Sequence, residues 1–326
     1  MLYKYLLITI ILFILELSYF KVAIHFKITD KPNKRSSHNK AVIRGGGIIL
    51  AISPIIWFFV YGLQYPYFII GLIIVALLSF LDDLKSLPIS IRLIAHILAT
   101  FLMIIELGMY SNNTLVIMIL IFMLSIFIIN SYNFMDGING IMCGYSLTVL
   151  IPLIYINHNL KFIDYNLIII CLLANIVFGF FNFRKHSKCF AGDVGSISMG
   201  FIIAFILSKL ILNTKDFSYI ILFIIYGIDT ILTIGHRILL HENITTTHRK
   251  HIYQIMANEL QIPQLKVALI YMTLQALLSI GFILIPNSPL WHWTYLIIIS
   301  IILTICYLLF IKKYYYLHRD YLNKLK

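Results

Sequence analysis

The chain has 326 residues, of which 61% are hydrophobic and 12% are charged, and its mean hydropathy is +0.94. A soluble domain carries about 25% charged residues, so this composition excludes a soluble globular protein. The net charge of +12 would suggest a nucleic-acid partner for a soluble protein. In a membrane protein, the preference of Lys and Arg for cytoplasmic loops explains the same charge, and we expect no nucleic-acid partner.

The apolar stretches are long and continuous, which predicts membrane-spanning helices rather than the alternating strands of a barrel. At roughly 20 apolar residues per helix, the sequence predicts an all-α polytopic fold of about eleven spans, in a single transmembrane domain covering residues 1–326. The first apolar run has no small-residue cleavage site after it and is interpreted as a retained helix. The predicted spans are 3–20, 45–62, 65–81, 89–107, 114–130, 138–157, 165–181, 196–213, 218–234, 266–285 and 293–311.

The connections between these spans fall into two alternating sets. One set is short, and the other carries 21 of the 25 Lys and Arg residues when the span-end residues Arg92 and Lys266 are counted with it. Such a bias predicts that the basic set is cytoplasmic, with the N-terminus outside and the C-terminus inside. The basic set comprises 21–44, 82–88, 131–137, 182–195, 235–265 and the tail 312–326.

The predicted cytoplasmic set also contains most of the acidic residues. Asp82 and Asp83 follow the third span directly, and adjacent carboxylates are more comfortable beside a cation. A helix cap with a solvated neighbour explains the pair equally well. Arg92, early in the next span, lies within reach of this pair. It either holds an anionic group there or extends its charged end to the membrane–water interface.

The segment 130–140, NSYNFMDGING, places amides and a carboxylate on one stripe of a helix. Asn130, Asn133 and Asp136 recur at intervals of three residues, and Asn139 follows beside two glycines. The plain alternative is an ordinary helix end with a glycine stop. A polar stripe at the mouth of a span is poorly explained by packing, so the segment is predicted to bind a ligand.

The segment 181–196, FNFRKHSKCFAGDVGS, places Asp193 between two glycines just before the eighth predicted span. Glycines permit close approach of the backbone, and free N–H groups at a helix start bind phosphate. Mg²⁺ prefers one or two carboxylates together with phosphates, which suits Asp193. The alternative is an acid placed there by the helix dipole alone.

Two further segments are basic. The segment 241–254 carries His248, Arg249 and His251, which suit phosphate recognition better than zinc, because no third metal ligand is evident; a solvated basic loop is the alternative. Arg44 precedes three consecutive glycines before the second span, where a ligand or a helix can approach closely. Asp229, inside the ninth apolar run, is either a buried structural acid or a partner that orients a site residue.

Taken together, these motifs resemble the polyprenyl-phosphate N-acetylhexosamine-1-phosphate transferase superfamily, of the glycosyltransferase family 4 type. The matching motifs occur in the superfamily's order and cover residues 30 to about 254. Arg35-Ser36-Ser37-His38 and the Arg-Gly-Gly-Gly run look like the branch that initiates O-antigen or common antigen. The prolines that usually precede that run are missing, and Ala191 replaces the usual Met. The motifs are Asp82-Asp83, the run 133–140, the run 190–196 and the His248-Arg249…His251 loop.

The resemblance implies an enzyme of the bacterial inner membrane that moves a sugar 1-phosphate from a UDP-sugar to undecaprenyl phosphate and releases UMP. The donor implied is UDP-GlcNAc or a 6-deoxy-N-acetylhexosamine, and the product starts a lipid-linked surface glycan, as in lipopolysaccharide biosynthesis. Membrane lipid surrounds such a protein, and the resemblance also allows a homodimer. A transporter or flippase is the competing class, but transporters place ionisable groups near the bilayer midplane.

The resemblance also assigns roles to the site residues. Asp193 would ligate Mg²⁺, with Mn²⁺ as an alternative, and the catalytic pair Asp82 and Asp83 would position or deprotonate the lipid phosphate. The other roles are a diphosphate site formed by His248, Arg249 and His251, a lipid-phosphate contact at Arg92, a nucleotide site at Asn133 and Asp136, stacking of Phe190 on uracil, and further substrate contacts at Arg44, Asn139 and Asn182.

Overall fold

The computed structural model of the protein describes residues 2–30, 41–108, 115–243 and 249–325, with side chains up to residue 319. It is a bundle of helices, which confirms the predicted all-α polytopic membrane protein. The helices are α1 (Leu2–His25), α2 (Ile48–Val60), α3 (Pro66–Leu84), α4 (Ile89–Glu106), α5 (Leu115–Phe134), α6 (Ile141–Leu160), α7 (Tyr165–Asn182), α8 (Gly192–Thr214), α9 (Ile224–Leu239), α10 (Ile252–Gln254), α11 (Gln264–Leu284) and α12 (Pro289–Leu325).

Among the described residues, ten helices are long and apolar enough to cross a membrane. One of them joins a 3₁₀ turn, Phe217–Phe223, to α9. The second predicted span is the exception, because α2 has only 13 residues and no helix continues it. A short antiparallel pair, β1 (Thr29–Asp30) and β2 (Val42–Ile43), lies between α1 and α2.

Helix α8 forms the centre of the bundle. Of its 23 residues, 17 are buried, and α2, α3 and α5 pack around it. Close approach depends on small residues: a Cβ at Gly200 would lie 2.9 Å from the Cα of Ile129 on α5. Without a difference in hydrophobicity between lipid and helix, such backbone proximity is what packs membrane helices together. The outer helices instead expose Leu, Ile and Phe, as a lipid-facing surface does.

The two sets of connections lie at opposite ends of the bundle. At one end, residues 43–47 pair with 189–191, and the loop containing Asn139 meets Arg184. At the other end, the Trp57 indole donates to Asp164, and His292 contacts Asp216. The first end is called the site end below, and the second the opposite end. Which end faces the cytoplasm remains the prediction made from the distribution of Lys and Arg.

Several helix ends differ from the prediction. Helix α3 continues through Asp82 and Asp83, which therefore lie in its last turn rather than after it. Helix α8 begins at Gly192, so Asp193 is in its first turn rather than ahead of it. The predicted C-terminal tail is also helical, because α12 runs unbroken for 37 residues. Hydropathy alone misplaces these ends because polar residues continue the helices beyond their apolar stretches.

Candidate active site at the site end of the bundle

The Asp83 carboxylate, at the end of α3, accepts hydrogen bonds from the beginning of α8. The backbone N–H groups of Asp193 and Val194 donate to its two oxygens, each at 3.0 Å. The guanidinium Nε of Arg44 donates to it at 2.7 Å. A carboxylate at a helix N-terminus is stabilised by the free N–H groups and by the dipole. Asp83 therefore joins three separate motifs, and its side chain is fully buried while that of Arg44 is 38% exposed.

Glycines make this junction possible. A Cβ at Gly192, whose φ is +70°, would collide with the Asp83 carboxylate. A Cβ at Gly195 would lie 2.6 Å from the Cα of Gly47, so these two backbones are in direct contact. The N–H groups of Gly46 and Gly47 donate to the carbonyls of Phe190 and Ala191 at 2.9 and 3.0 Å. The glycine run after Arg44 is therefore explained by its packing against the 189–195 segment.

The Asp82 carboxylate contacts two groups of its own helix connection and one carboxyl group across the site. One oxygen accepts from the Leu87 N–H, and the other accepts from Arg92 Nη1 at 3.1 Å. The carboxyl group of Asp193 lies within hydrogen-bonding reach of Asp82, and the charge of Asp83 acts on Asp193 as well. Three carboxyl groups thus meet beside Arg44 and Arg92, which offset part of their negative charge.

A hard divalent cation fits this arrangement in part. Asp82 and Asp193 face each other with oxygen donors, which are the ligands that Mg²⁺ prefers. Within the described residues, however, no three His, Cys, Asp or Glu side chains form a complete metal site. The pair would hold such an ion only with further oxygens, and phosphate groups are the usual source in sites of this kind.

The residues of the polar stripe predicted on α5 do not all face the same site in the structure. Asn130 turns back and donates to the Ile126 carbonyl at 2.7 Å, whereas Asn133 accepts from the Ser196 hydroxyl of α8 at 3.2 Å. Asp136 follows the end of α5 and is partly exposed. Burial and the negative charge of Asp83 raise the pKa of Asp136 to about 7. Asn133 and Asp136 therefore lie beside the acidic junction, and Asn130 does not contribute to it.

Asn139 and Asn182 hold loops together. Asn139 is buried, and its side chain donates to the carbonyls of Arg184 and Lys185 at 3.1 and 3.3 Å. The Asn182 oxygen accepts from the Gly140 N–H at 2.9 Å, while its nitrogen donates to the Cys189 carbonyl at 2.9 Å. The substrate contacts at these two residues stay predictions, and the hydrogen bonds that they make fix the backbone around the site.

His251 is oriented by Asp229, the isolated acid of the ninth span. Both side chains are buried, and the Nδ1 atom of His251 lies 3.3 Å from the Asp229 carboxylate. The same carboxylate accepts from the Tyr271 hydroxyl at 2.6 Å and from the Ile252 N–H at 3.2 Å. Of the two roles that the sequence allowed for Asp229, the structure favours the orienting one.

The His251 segment also packs against the end of α5. The Tyr253 hydroxyl donates to the Phe134 carbonyl at 2.8 Å, and a Cβ at Gly137 would collide with that hydroxyl. The segment containing His251 and Tyr253 is therefore packed against the residues that follow α5. Arg249 is partly exposed here, whereas His248 lies outside the described residues. Phe190 binds Ile43 and Gly46 through its backbone, and its stacking on a base stays a prediction.

Lys250, next to His251, is tied to α12. Its ammonium group contacts the Glu242 carboxylate and donates to the Tyr315 hydroxyl at 3.0 Å. Arg237, buried at the end of α9, donates to Glu242 at 3.3 Å. These contacts hold the pKa of Glu242 below its usual value, despite the opposing effect of burial. Lys250 is therefore fixed in place rather than solvated.

Sequence reasoning missed two α1 residues at the back of the site. The Tyr19 hydroxyl donates to the Arg44 carbonyl at 2.6 Å, and a Cβ at Gly45 would lie 2.5 Å from that hydroxyl. Glu16 is completely buried, and the Cys189 thiol lies 3.7 Å from its carboxylate. An acid within an apolar span is a signal of function, and that signal was present at Glu16.

Comparison with known proteins shows which proteins this chain is similar to. Residues 65–211 match the model of glycosyl transferase family 4. A probable undecaprenyl-phosphate N-acetylglucosaminyl 1-phosphate transferase of Bacillus subtilis is 26% identical over 305 residues, covering 86% of this chain and 84% of the relative. This match and the relatives found support the resemblance of the chain to the polyprenyl-phosphate N-acetylhexosamine-1-phosphate transferase superfamily.

Two further relatives show the same level of similarity. A phospho-N-acetylmuramoyl-pentapeptide-transferase of Dictyoglomus thermophilum is 27% identical over 224 residues, covering 62% of this chain and 69% of the relative. An undecaprenyl-phosphate alpha-N-acetylglucosaminyl 1-phosphate transferase of Yersinia pestis is 27% identical over 206 residues, covering 57% and 56%. The family match includes Asp82, Asp136 and Asp193, whereas Arg44 and His251 lie outside its bounds.

Proposed function

We propose that this protein transfers an N-acetylhexosamine 1-phosphate from a UDP-sugar to undecaprenyl phosphate and releases UMP. The observation that carries the proposal is the meeting of four distant motifs at one end of the bundle. Asp83 joins Arg44 to the start of α8, Asp82 faces Asp193, and His251 packs on the end of α5. Two relatives named as undecaprenyl-phosphate N-acetylglucosaminyl 1-phosphate transferases support it, as does one named as a phospho-N-acetylmuramoyl-pentapeptide-transferase.

The reaction requires two phosphate-bearing anions to approach each other. We assign Asp193, with Asp82 facing it, as the ligands of a Mg²⁺ ion, for which Mn²⁺ is an alternative. When bound, such an ion would offset the negative charge that the two phosphate groups bring together. Arg92 donates to Asp82 from α4 and is 35% exposed, so its guanidinium can also hold the phosphate of the lipid.

The roles of the adjacent carboxylates differ in this proposal. Both oxygens of Asp83 are occupied by α8 and Arg44, so Asp83 positions the start of α8 rather than taking a proton. Asp82 lies next to the lipid-phosphate position. Because a phosphate oxygen is already a competent nucleophile, it attacks the sugar-linked phosphorus of the donor directly. The bond from that phosphorus to the bridging oxygen breaks, and its electron pair leaves with UMP.

The donor is held by residues on the other side of this junction. Asn133 and Asp136 line the nucleotide position, and Phe190 stacks on uracil. His251, held by Asp229, contacts the diphosphate with Arg249 and His248. Arg44 contributes positive charge beside the acidic junction. We further propose that this end faces the cytoplasm of a bacterial inner membrane, because 21 of the 25 basic residues are assigned to it.

The proposed donor is UDP-GlcNAc or a 6-deoxy-N-acetylhexosamine derivative, and the product starts a surface glycan such as an O-antigen. Two of the relatives have N-acetylglucosaminyl 1-phosphate in their names, which supports the first donor. The test is UMP release by purified protein with undecaprenyl phosphate across a panel of UDP-sugars. Release with one N-acetylhexosamine donor is expected. No release with any donor would contradict the proposal and favour a transporter or flippase.

The metal assignment has its own test. Asp193→Asn keeps the size of the side chain but removes a charged oxygen ligand, so we expect UMP release to fall by about 100-fold or more. The matched control is Asp164→Asn at the opposite end, where Asn caps α7 as well as Asp does. Full Mg²⁺-dependent activity in Asp193→Asn would overturn the assignment.

A further inference from the structure

An apolar groove opens on the side of the bundle at the site end. Its volume is about 450 Å³, and α1 and α7 form its walls. Phe20 and Ile24 line it from α1, Phe180 and Phe181 line it from α7, and Ile43 of β2 closes one side. Ile24 and Phe180 are 64% and 56% exposed. A surface of this composition is suited to hydrocarbon chains rather than to water.

Two basic residues form the polar rim of the groove. Arg184 Nε donates to the Phe180 carbonyl at 2.6 Å, and the guanidinium lies 4.5 Å from the Phe180 ring, so its position is fixed. Lys188 is exposed, and among the described residues neither cation is paired with a carboxylate. Three more exposed lysines belong to α1 or to the residues that follow α1 and α7, namely Lys21, Lys27 and Lys185.

We propose that this groove binds an anionic phospholipid of the surrounding bilayer. An acyl chain lies against the aromatic and aliphatic walls, and the headgroup phosphate is held by Arg184 and Lys188. Basic residues beside a bilayer attract anionic lipids, and the planar guanidinium suits a phosphate. The combination of an apolar groove with an unpaired basic rim is what distinguishes this site from an ordinary lipid-facing surface.

The groove is separate from the proposed acceptor position and shares a wall with the active site. We place Asp82 of α3 and Arg92 of α4 beside the acceptor phosphate, and neither helix lines the groove. Ile43 does line it, and its carbonyl accepts from the Phe190 N–H at 2.8 Å. The next residue, Arg44, binds Asp83. A lipid packed against Ile43 therefore stabilises the backbone pairing that carries Arg44.

The test is native mass spectrometry of the purified protein, titrated with dioleoyl-phosphatidylglycerol or dioleoyl-phosphatidylcholine. The wild type is expected to retain the first lipid selectively. In the double variant Arg184→Gln/Lys188→Gln, its affinity should fall about 25-fold, since each basic residue near an anionic lipid is worth about fivefold. The matched control, Lys312→Gln/Lys313→Gln, removes the same charge from exposed positions of α12 at the same end and should leave it unchanged.

Three results would overturn the proposal. They are equal retention of both lipids, an unchanged affinity in the double variant, and displacement of the bound lipid by one equivalent of undecaprenyl phosphate. The last would mean that the groove belongs to the acceptor. Lys188→Gln alone, at an exposed residue, replaces the double variant if that protein fails to fold, with about a fivefold loss expected. Because binding is measured without turnover, the outcome is independent of the proposed reaction.

Discussion

The two ends of the bundle use the same residue types in different ways. At the opposite end the acids lie apart and hold the ends of helices. Asp164 caps α7 and accepts from the Trp57 indole. Glu106 accepts from the N–H groups at the start of α3, and Asp216 caps the 3₁₀ turn and contacts His292. At the site end, Asp82, Asp83 and Asp193 crowd together. Isolated acids at helix ends are explained by stability alone, whereas a crowd of them needs a cation or a ligand.

The largest difference between the ends is expected from their capping aspartates. Asp83→Ala removes the acceptor for two N–H groups and for Arg44, so we expect activity to fall at least about 100-fold and the protein to lose about 2–4 kcal/mol of stability. Asp164→Ala should cost about 1 kcal/mol and leave activity within about twofold. UMP release and thermal unfolding measure both. Equal activities of the two variants would refute the difference drawn between the ends.

The next comparison concerns the two buried Asp–His pairs. His251 lies 3.3 Å from Asp229 at the site end, and His292 lies 2.8 Å from Asp216 at the opposite end. His251→Gln should lower activity by about 100-fold, because a histidine at the diphosphate contributes to catalysis by charge or proton transfer. His292→Gln should lower the unfolding temperature and leave activity within about twofold. A large activity loss in His292→Gln would show that this comparison does not separate the ends.

A pH titration of stability tests how the crowded carboxylates affect Asp136. The pKa of Asp136 is raised to about 7, so the native state holds a proton that the unfolded chain loses near pH 4. This stabilisation is present at low pH and is lost as pH rises from about 4 to 7. The unfolding temperature of the wild type should fall over that range relative to Asp136→Asn. In Asp83→Asn the fall should move to lower pH, and an unchanged profile there would exclude Asp83 as a cause.

The smallest effect is expected from two tyrosines of α12. The Tyr315 hydroxyl accepts from Lys250 at the site end, and the Tyr295 hydroxyl donates to the Leu278 carbonyl at the opposite end. Tyr315→Phe removes one hydrogen bond worth about 1 kcal/mol, so KM for the UDP-sugar should rise up to about fivefold with kcat unchanged. Tyr295→Phe should leave both constants unchanged. A change in kcat rather than KM would contradict a role in positioning.

The sequence predicted the spans other than the second and the division of loops between two ends, because hydropathy and charge are local properties of the sequence. It also placed Asp82, Asp136, Asp193 and His251 at one end. The contact between Asp83 and the start of α8 could not be predicted, since 110 residues separate the partners. The glycine run after Arg44 predicts close approach of a ligand or a helix, and the structure places the backbone of α8 against it.

Other differences have the same origin in tertiary contacts. Asn139 and Asn182 have the polarity of ligand-binding residues, but their amides satisfy loop backbone instead. Glu16 and Tyr19 lie in α1, whose sequence has the composition of a plain apolar span and so does not predict a role in the site. The orienting role of Asp229 depends on a contact with His251, which is 22 residues later in the chain.

The short helix α2 bears on the depth at which the candidate active site lies in the bilayer. Its 13 residues rise about 20 Å, whereas a hydrocarbon core is about 30 Å thick. Trp57 binds Asp164 at the opposite end, so the missing length falls on the site end. We therefore expect the non-helical glycine turn before α2 to lie below the headgroups, which is tolerated because its N–H groups bind Phe190 and Ala191. In the proposed reaction, a lipid phosphate would then come close to the acidic junction without its chain being drawn out of the bilayer.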